Sequence, residues 1–278
     1  MTPAEPPAHP IRLLVTDIDG TLVRHDKSLP EANRLAILAL AGEGVTSTLI
    51  SSRPPSGMVE LAAALRLTGP MAAFNGGTIF DADGSIRSVH RLERADAAAM
   101  LRLLDRPGVT PWVFVDGAWF VTSLDNPHLA RERLASAIEP EMRTDFAGLD
   151  ARIDKIVGVS DDPALLRRIE QKAENLIGAR ATIARSQPYF LDITHRLANK
   201  GEGLAALARA FAVDLTEVAA LGDMPNDLPM FARAGLAVAM GQAPARVRAA
   251  ADATAATNER DGVADAIQRF IRPRIARP

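Results

Sequence analysis

Two aspartates two residues apart, Asp17 and Asp19, follow a short apolar run directly and precede Gly20 and Thr21. Two carboxylates so placed can hold a divalent cation through oxygen ligands. They can equally divide the work of nucleophile and general acid/base. In open α/β sheets, ligands bind at the carboxyl ends of strands. A chain-reversing Asp-Gly turn would use the same residues. The segment Gly222-Asp223-Met224-Pro225-Asn226-Asp227 again stands between an apolar strand and a helix. Asp223 can complete a metal site there, with Asn226 and Asp227 in the first helical turn. Helix capping asks for one Asp or Asn, and this segment has three.

Three further segments join these. Asn199 and Glu202 have capping-box spacing, which predicts a helix start with Lys200 at its positive end. A cation is mildly unfavourable there, and a bound anion reverses the sign. Ser51, in Ser51-Ser52-Arg53, has a hydroxyl and a backbone N–H to offer a phosphate oxygen. Asn75-Gly76-Gly77 is a flexible turn that lets a ligand approach closely. Each segment alone reads equally well as a turn or a solvated surface. All of them fall on one predicted sheet edge, and that concentration of acids, a lysine and a serine points to phosphate transfer. The histidines (His9, His25, His90, His128 and His195) lack metal-ligand spacing with one another, and His195 is expected at the surface. Trp112, Trp119 and Phe120 are expected in packing rather than on a substrate, and Asp154-Lys155 as a surface pair.

The elements that must position these groups follow from hydrophobic period. Residues 11–16, 45–50 and 71–74 read as strands, and 31–43 and 54–67 as helices, a parallel βαβ rhythm. From about residue 84 the rhythm changes. Strands at 111–115 and 118–122 flank Asp116-Gly117, a hairpin signal. A helix at 127–138, a strand at 153–159, a helix at 163–177 and a strand at 179–184 follow. The first rhythm resumes with a strand at 189–193, a helix at 200–212, a strand at 218–221, a helix at 225–234 and a strand at 236–240. The expected fold class is α/β, a Rossmann-like doubly wound parallel sheet with an inserted α+β cap domain. The core is expected over 11–83 and 187–272, the cap over 84–186, and flexible tails over 1–10 and 273–278.

Composition narrows the function classes. The 278 residues carry 32 Lys and Arg against 34 Asp and Glu, a net charge of −2. This gives no electrostatic case for nucleic acid or an anionic membrane as partner. With no cysteine, disulfides, thiolate metal sites and cysteine nucleophiles are excluded. No apolar run approaches the roughly 20 residues needed to span a bilayer, and residues 1–10 do not read as a signal peptide. A cytoplasmic monomer or weak homodimer acting on a small molecule is expected.

In residues 17–22, 51–53, 75–77, 199–203, 222–227, 238–243 and 258–264 the chain resembles the haloacid dehalogenase superfamily, specifically its Cof-type phosphatases with a large inserted cap. The resemblance implies a Mg2+-dependent phosphatase of small phosphorylated metabolites. Asp17 would attack phosphorus and form an aspartyl-phosphate. Asp19 would protonate the leaving group and then help water attack. Mg2+ would be held by Asp17, the Asp19 carbonyl and Asp223, with Asp227 supporting the site from behind. Ser51, Lys200 and Asn226 would grip phosphate, with Ser52, Arg53 and Asn75 counted among the binding positions. Ser52 stands where glycine is usual and Gln242 where asparagine is usual. A second carboxylate favours a phosphate ester over a halide, which leaves without a proton. A phosphomutase and a non-catalytic phospholigand-binding protein are the alternatives.

Overall fold

A computed structural model describes residues 9–149 and 151–276. Its strands are β1 (Leu13–Thr16), β2 (Thr46–Leu49), β3 (Met71–Ala73), β4 (Thr78–Phe80), β5 (Ile86–Val89), β6 (Thr110–Val115) and β7 (Ala118–Val121). They continue with β8 (Pro140–Met142), β9 (Ile153–Val159), β10 (Ala181–Gln187), β11 (Phe190–His195), β12 (Val218–Gly222), β13 (Leu236–Ala239) and β14 (Ala253–Thr254). The helices are α1 (Glu31–Gly42), α2 (Ser56–Ala64), α3 (Arg94–Leu104), α4 (Leu129–Ser136) and α5 (Pro163–Ile177). After them come α6 (Lys200–Ala210), α7 (Leu228–Phe231), α8 (Ala245–Arg248) and α9 (Gly262–Ala266).

A parallel sheet in the order β14-β13-β12-β1-β2 carries the reactive edge. Alternate side chains of a strand point to opposite faces, and both faces are covered. Leu14, Leu49 and Leu221 pack towards α1 and α9, through Ile37, Leu40 and Val263. Leu13, Val15 and Ala220 pack against α6 and α7, through Leu204, Leu207 and Met230. A strand buried on both faces reads as a near-continuous apolar run. The central β1 (Leu-Leu-Val-Thr) is buried throughout.

The expected third parallel strand is a correction. β3 runs antiparallel to β4, which pairs with β5, and only an isolated Ile50–Ala72 bridge joins it to the parallel layer. Phe74, Asn75 and Gly76 all take positive φ and turn the chain back after three residues. Asp83-Gly84, within the β4–β5 connection, is itself a hairpin signal.

The inserted unit is a six-stranded sheet, β10-β11-β9-β6-β7-β8. α3 and α5 cover one face through Met100, Leu104, Leu166 and Ile169. Asp162 caps α5, accepting from the N–H groups of Ala164 and Leu165, with Pro163 at its first position. The other face, with Trp112, Phe114 and Trp119, joins the apolar cluster of the parallel sheet. β11, expected to restart the parallel core, lies instead between β10 and β9, antiparallel to both. Its apolar alternation suits either sheet, and pairing with β9 is what places it.

Residues 1–8 and 277–278 of the expected tails lie outside the described residues. The remainder of the C-terminal tail is packed rather than frayed. The Ile11 N–H donates to the Arg274 carbonyl at 2.9 Å, and Ile275 packs on the main core.

Candidate active site

β1 delivers Asp17 to the carboxyl edge of the parallel sheet, and β12, its neighbour, delivers Asp223. Gly222 is required behind them, because a Cβ there would lie 2.4 Å from the Asp227 carboxyl carbon. Gly20 turns at φ +82, and a Cβ on it would come within 2.3 Å of an Asp223 oxygen. The loop after β1 therefore closes directly over Asp223.

Asn199 caps α6 through the N–H groups of Gly201 and Glu202, a contact worth about 1 kcal/mol. The capping-box expectation holds only for this half, since Glu202 pairs with Arg233 at 2.5 Å. Lys200, only 1% exposed, projects inward and donates to Asp17 Oδ1 at 2.5 Å and Asp227 Oδ1 at 2.6 Å. The other Asp227 oxygen accepts the Asp223 and Met224 N–H groups, both at 2.8 Å. Asp227 is thus fully engaged as a brace. Among the described residues the Asp223 carboxylate has only 3.5 Å contacts, from the Thr21 hydroxyl and Gln242 Nε2.

Oxygens of Asp17, Asp223 and Asp227 come within 4.8 Å of one another. Among the described residues one ammonium, Lys200, pairs with these three buried carboxylates, bonding to Asp17 and Asp227, so that with all three ionised two negative charges lack a counter-charge. Burial pushes Asp17 up to about 7, with the Lys200 charge opposing and the Asp227 charge adding to the rise. Burial, then Asp17 and Asp227, push Asp223 well up. Burial works against the Lys200 charge, but the two carboxylates outweigh it and hold the ammonium. An all-oxygen donor set with an excess of two charges fits a hard divalent cation, so this buried cluster can hold a metal ion.

Asp19 stands apart from that cluster. Arg53 forks onto its two oxygens at 2.7 and 2.8 Å, and Lys27 reaches it at 2.5 Å. Burial works to raise Asp19, yet Arg53 and then Lys27 outweigh it and hold the carboxyl far below the usual range.

The remaining expected residues are distributed differently. The Ser51 N–H is committed to the Ala72 carbonyl at 2.9 Å, leaving only the hydroxyl for a ligand. That hydroxyl accepts from the Arg53 N–H at 3.2 Å. Asn226 donates to Asn75 at 3.0 Å, and Asn75 donates to Asp192 on β11 at 3.1 Å. The two asparagines therefore link the parallel sheet to the inserted one. Gln242 holds the Gly20 carbonyl at 2.5 Å and accepts the Asn258 N–H at 3.1 Å, so it ties the loop over Asp223.

Trp112 and Trp119 are packed in the core, as expected. Asp154-Lys155 is not a surface pair. Both are buried; Asp154 bonds to Arg91 and to the Asp116 N–H, while Lys155 donates to the Ser52 carbonyl at 2.8 Å. Lys155, Lys27 and Glu132 meet Asp19, Ser52 and Arg53 around one narrow pocket. The motifs do not contain these three residues. Two adjacent charges at the start of a strand that is otherwise apolar, Ile-Asp-Lys-Ile-Val, were the one local signal for Lys155.

A doubly wound sheet with a cluster of acids at its carboxyl edge and an inserted α+β layer defines a phosphoryl-transfer type of hydrolase fold. Residues 14–267 match the haloacid dehalogenase-like hydrolases, and the chain belongs to that family. It is 28% identical over 262 residues to the 5-amino-6-(5-phospho-D-ribitylamino)uracil phosphatase YcsE of Bacillus subtilis, covering 94% of this chain and 96% of that one. It is 30% identical over 233 residues to the HMP-PP phosphatase of Cronobacter sakazakii, covering 84% and 85%. A haloacid dehalogenase-like hydrolase from Bacteroides thetaiotaomicron superposes with a TM-score of 0.79 at 28% identity, over 94% of this chain and 99% of that one.

Proposed function

We propose that the chain is a Mg2+-dependent phosphoric monoester hydrolase that releases phosphate from a small phosphorylated metabolite through an aspartyl-phosphate on Asp17. The carrying observation is the buried Asp17–Lys200–Asp227 arrangement beside a weakly partnered Asp223, with Asp19 on the adjoining pocket. Mg2+ held by Asp17, Asp223 and the Asp19 carbonyl would screen the repulsion between a phosphate dianion and a carboxylate.

Lys200 holds one Asp17 oxygen at 2.5 Å and so orients the carboxylate. An Asp17 oxygen bonds to phosphorus as the ester P–O bond breaks, and Asp19 gives its proton to the leaving oxygen. Water then attacks phosphorus and gives Asp19 a proton, and the Asp17–phosphorus bond breaks to release phosphate. Arg53 and Lys27 hold Asp19 ionised, the form that second half requires. For the first half Asp19 must take up a proton from water, which a bound phosphate dianion favours by competing for Arg53 and Lys27. The Ser51 hydroxyl and Lys200 contribute to the phosphate site, while Asn75 and Asn226 set the loop around it.

The six-stranded layer acts as the cap, with its chain crossings near residues 90–92 and 195–199 in place of 84 and 186. The reaction needs neither nucleic acid nor membrane, and no helix among the described residues is long and apolar enough to cross a bilayer. A cytoplasmic monomer or weak homodimer suffices.

The test is phosphate release from p-nitrophenyl phosphate and a panel of phosphorylated metabolites, with Mg2+ and with EDTA. Mg2+-dependent free phosphate supports the reading. An isomerised phosphate ester would indicate a mutase, and absence of release from every ester overturns the proposal.

A further inference from the structure

The pocket beside Asp19 has two walls of opposite character. On one wall Lys27 and Arg53 are both bonded to Asp19. On the cap wall stand Glu132 from α4 and Lys155 from β9, with Ser186 and Gln187 beside them. Glu132 is 8% exposed, yet its carboxylate makes no hydrogen bond or ion pair among the described residues. Lys155 is 3% exposed and has no carboxylate within ion-pair distance among those residues. Its ammonium gives one hydrogen bond, to the Ser52 carbonyl at 2.8 Å, and lies 4.6 Å from the centre of the Phe114 ring.

Buried charges are normally paired, because removing an ion from water costs several kcal/mol. A pair of opposite charges that share a narrow pocket without bonding each other is placed for a third group. From this juxtaposition we propose that Glu132 and Lys155 are the specificity-determining residues of the pocket, reading a hydroxyl on the alcohol side of the phosphate ester. This rests on the phosphatase reading, since Asp19 marks where the leaving oxygen departs. A hydroxyl donates to Glu132 and accepts from Lys155, satisfying both at once.

The ester's alcohol side therefore carries a hydroxyl at the point where Glu132 and Lys155 face the pocket, beside Tyr189 and Phe190.

The experiment compares three- to six-carbon polyol and aldose monophosphates with their deoxy counterparts, using the full chain with Mg2+. The wild-type protein, Glu132→Gln, Glu132→Asp and Lys155→Met are assayed, and p-nitrophenyl phosphate is hydrolysed in parallel by the wild type. The expected wild-type preference in kcat/KM for at least one hydroxylated ester over its deoxy counterpart is about 10-fold or more. It falls towards unity in Glu132→Gln and Lys155→Met, mainly through KM, and is partly regained in Glu132→Asp. A structural role would lower both members of each pair equally, and that result overturns the proposal. So does an unchanged preference, or turnover of p-nitrophenyl phosphate with none of the hydroxylated panel. Absence of turnover on every ester, p-nitrophenyl phosphate included, overturns the underlying phosphatase reading and the proposal with it.

Discussion

The parallel-sheet edge and the cap wall of the same site are built on opposite terms. Around Asp17, Lys200 bridges two carboxylates and Asp227 uses both its oxygens, so the geometry is fixed before any ligand arrives. Across the pocket, Glu132 and Lys155 are also buried and far less engaged. Preorganised charge serves a step shared by all phosphate esters. Unspent hydrogen-bonding capacity serves discrimination among them. The pairing also has a folding consequence, because the cap's aromatic face, with Phe114 5.8 Å from Phe74, is continuous with the main core.

The largest effect that sharpens this contrast is expected at the nucleophile. Asp17→Asn should reduce kcat by about ten-thousand-fold or more while the circular dichroism spectrum stays native. Residual turnover within tenfold of wild type would mean that Asp17 is not the attacking group.

Asp227→Ala comes next, and its expected readout is stability. It strands two N–H groups and half of the Lys200 pairing. Leaving two buried donors unpaired costs about 1–3 kcal/mol each, so denaturant unfolding should show a clear loss. A midpoint equal to wild type would show that Asp227 is no brace.

Gly20→Ala should act on the cation site beyond the backbone strain of a side chain at φ +82. The new Cβ crowds Asp223, and a weakening of Mg2+ affinity by about 10–100-fold is expected, by analogy with disturbed metal surroundings. Titrating activity against Mg2+ measures it, and an unmoved midpoint would place the metal away from Asp223.

The smallest effect tests the cap wall. Burial raises the folded-state pKa of Glu132, with Lys155 partly offsetting. Stability gained from its protonated form is full below the unfolded value and is lost as pH rises through the folded one. Glu132→Gln should therefore raise Tm at about pH 8 and lose that advantage near pH 4. A variant less stable than wild type at about pH 8 would mean that Glu132 is satisfied in the fold.

Local chemistry made much of this legible. β9 and α5 fall where period and capping place them, over Ile153–Val159 and Pro163–Ile177. Asp17, Asp19 and Asp223 lie in strand-end motifs whose spacing is itself the signal. The antiparallel pairing of β3 with β4 on either side of the Phe74–Gly76 turn and the cap position of β11 were not legible. Three-residue strands carry too little period, and an apolar strand does not name its partner. Glu132 and Lys155 lie on separate elements and meet only in the folded pocket, so neither local sequence marks the other.

By itself the sequence determined the candidate reacting groups, because two carboxylates two residues apart are a property of one strand end. The tertiary structure alone decided which charges meet. Lys200 reaches Asp17 across 183 residues, and Arg53 reaches Asp19 across 34. Coulomb attraction depends on distance in space, and the order β12-β1-β2 together with the cap folded over it sets that distance.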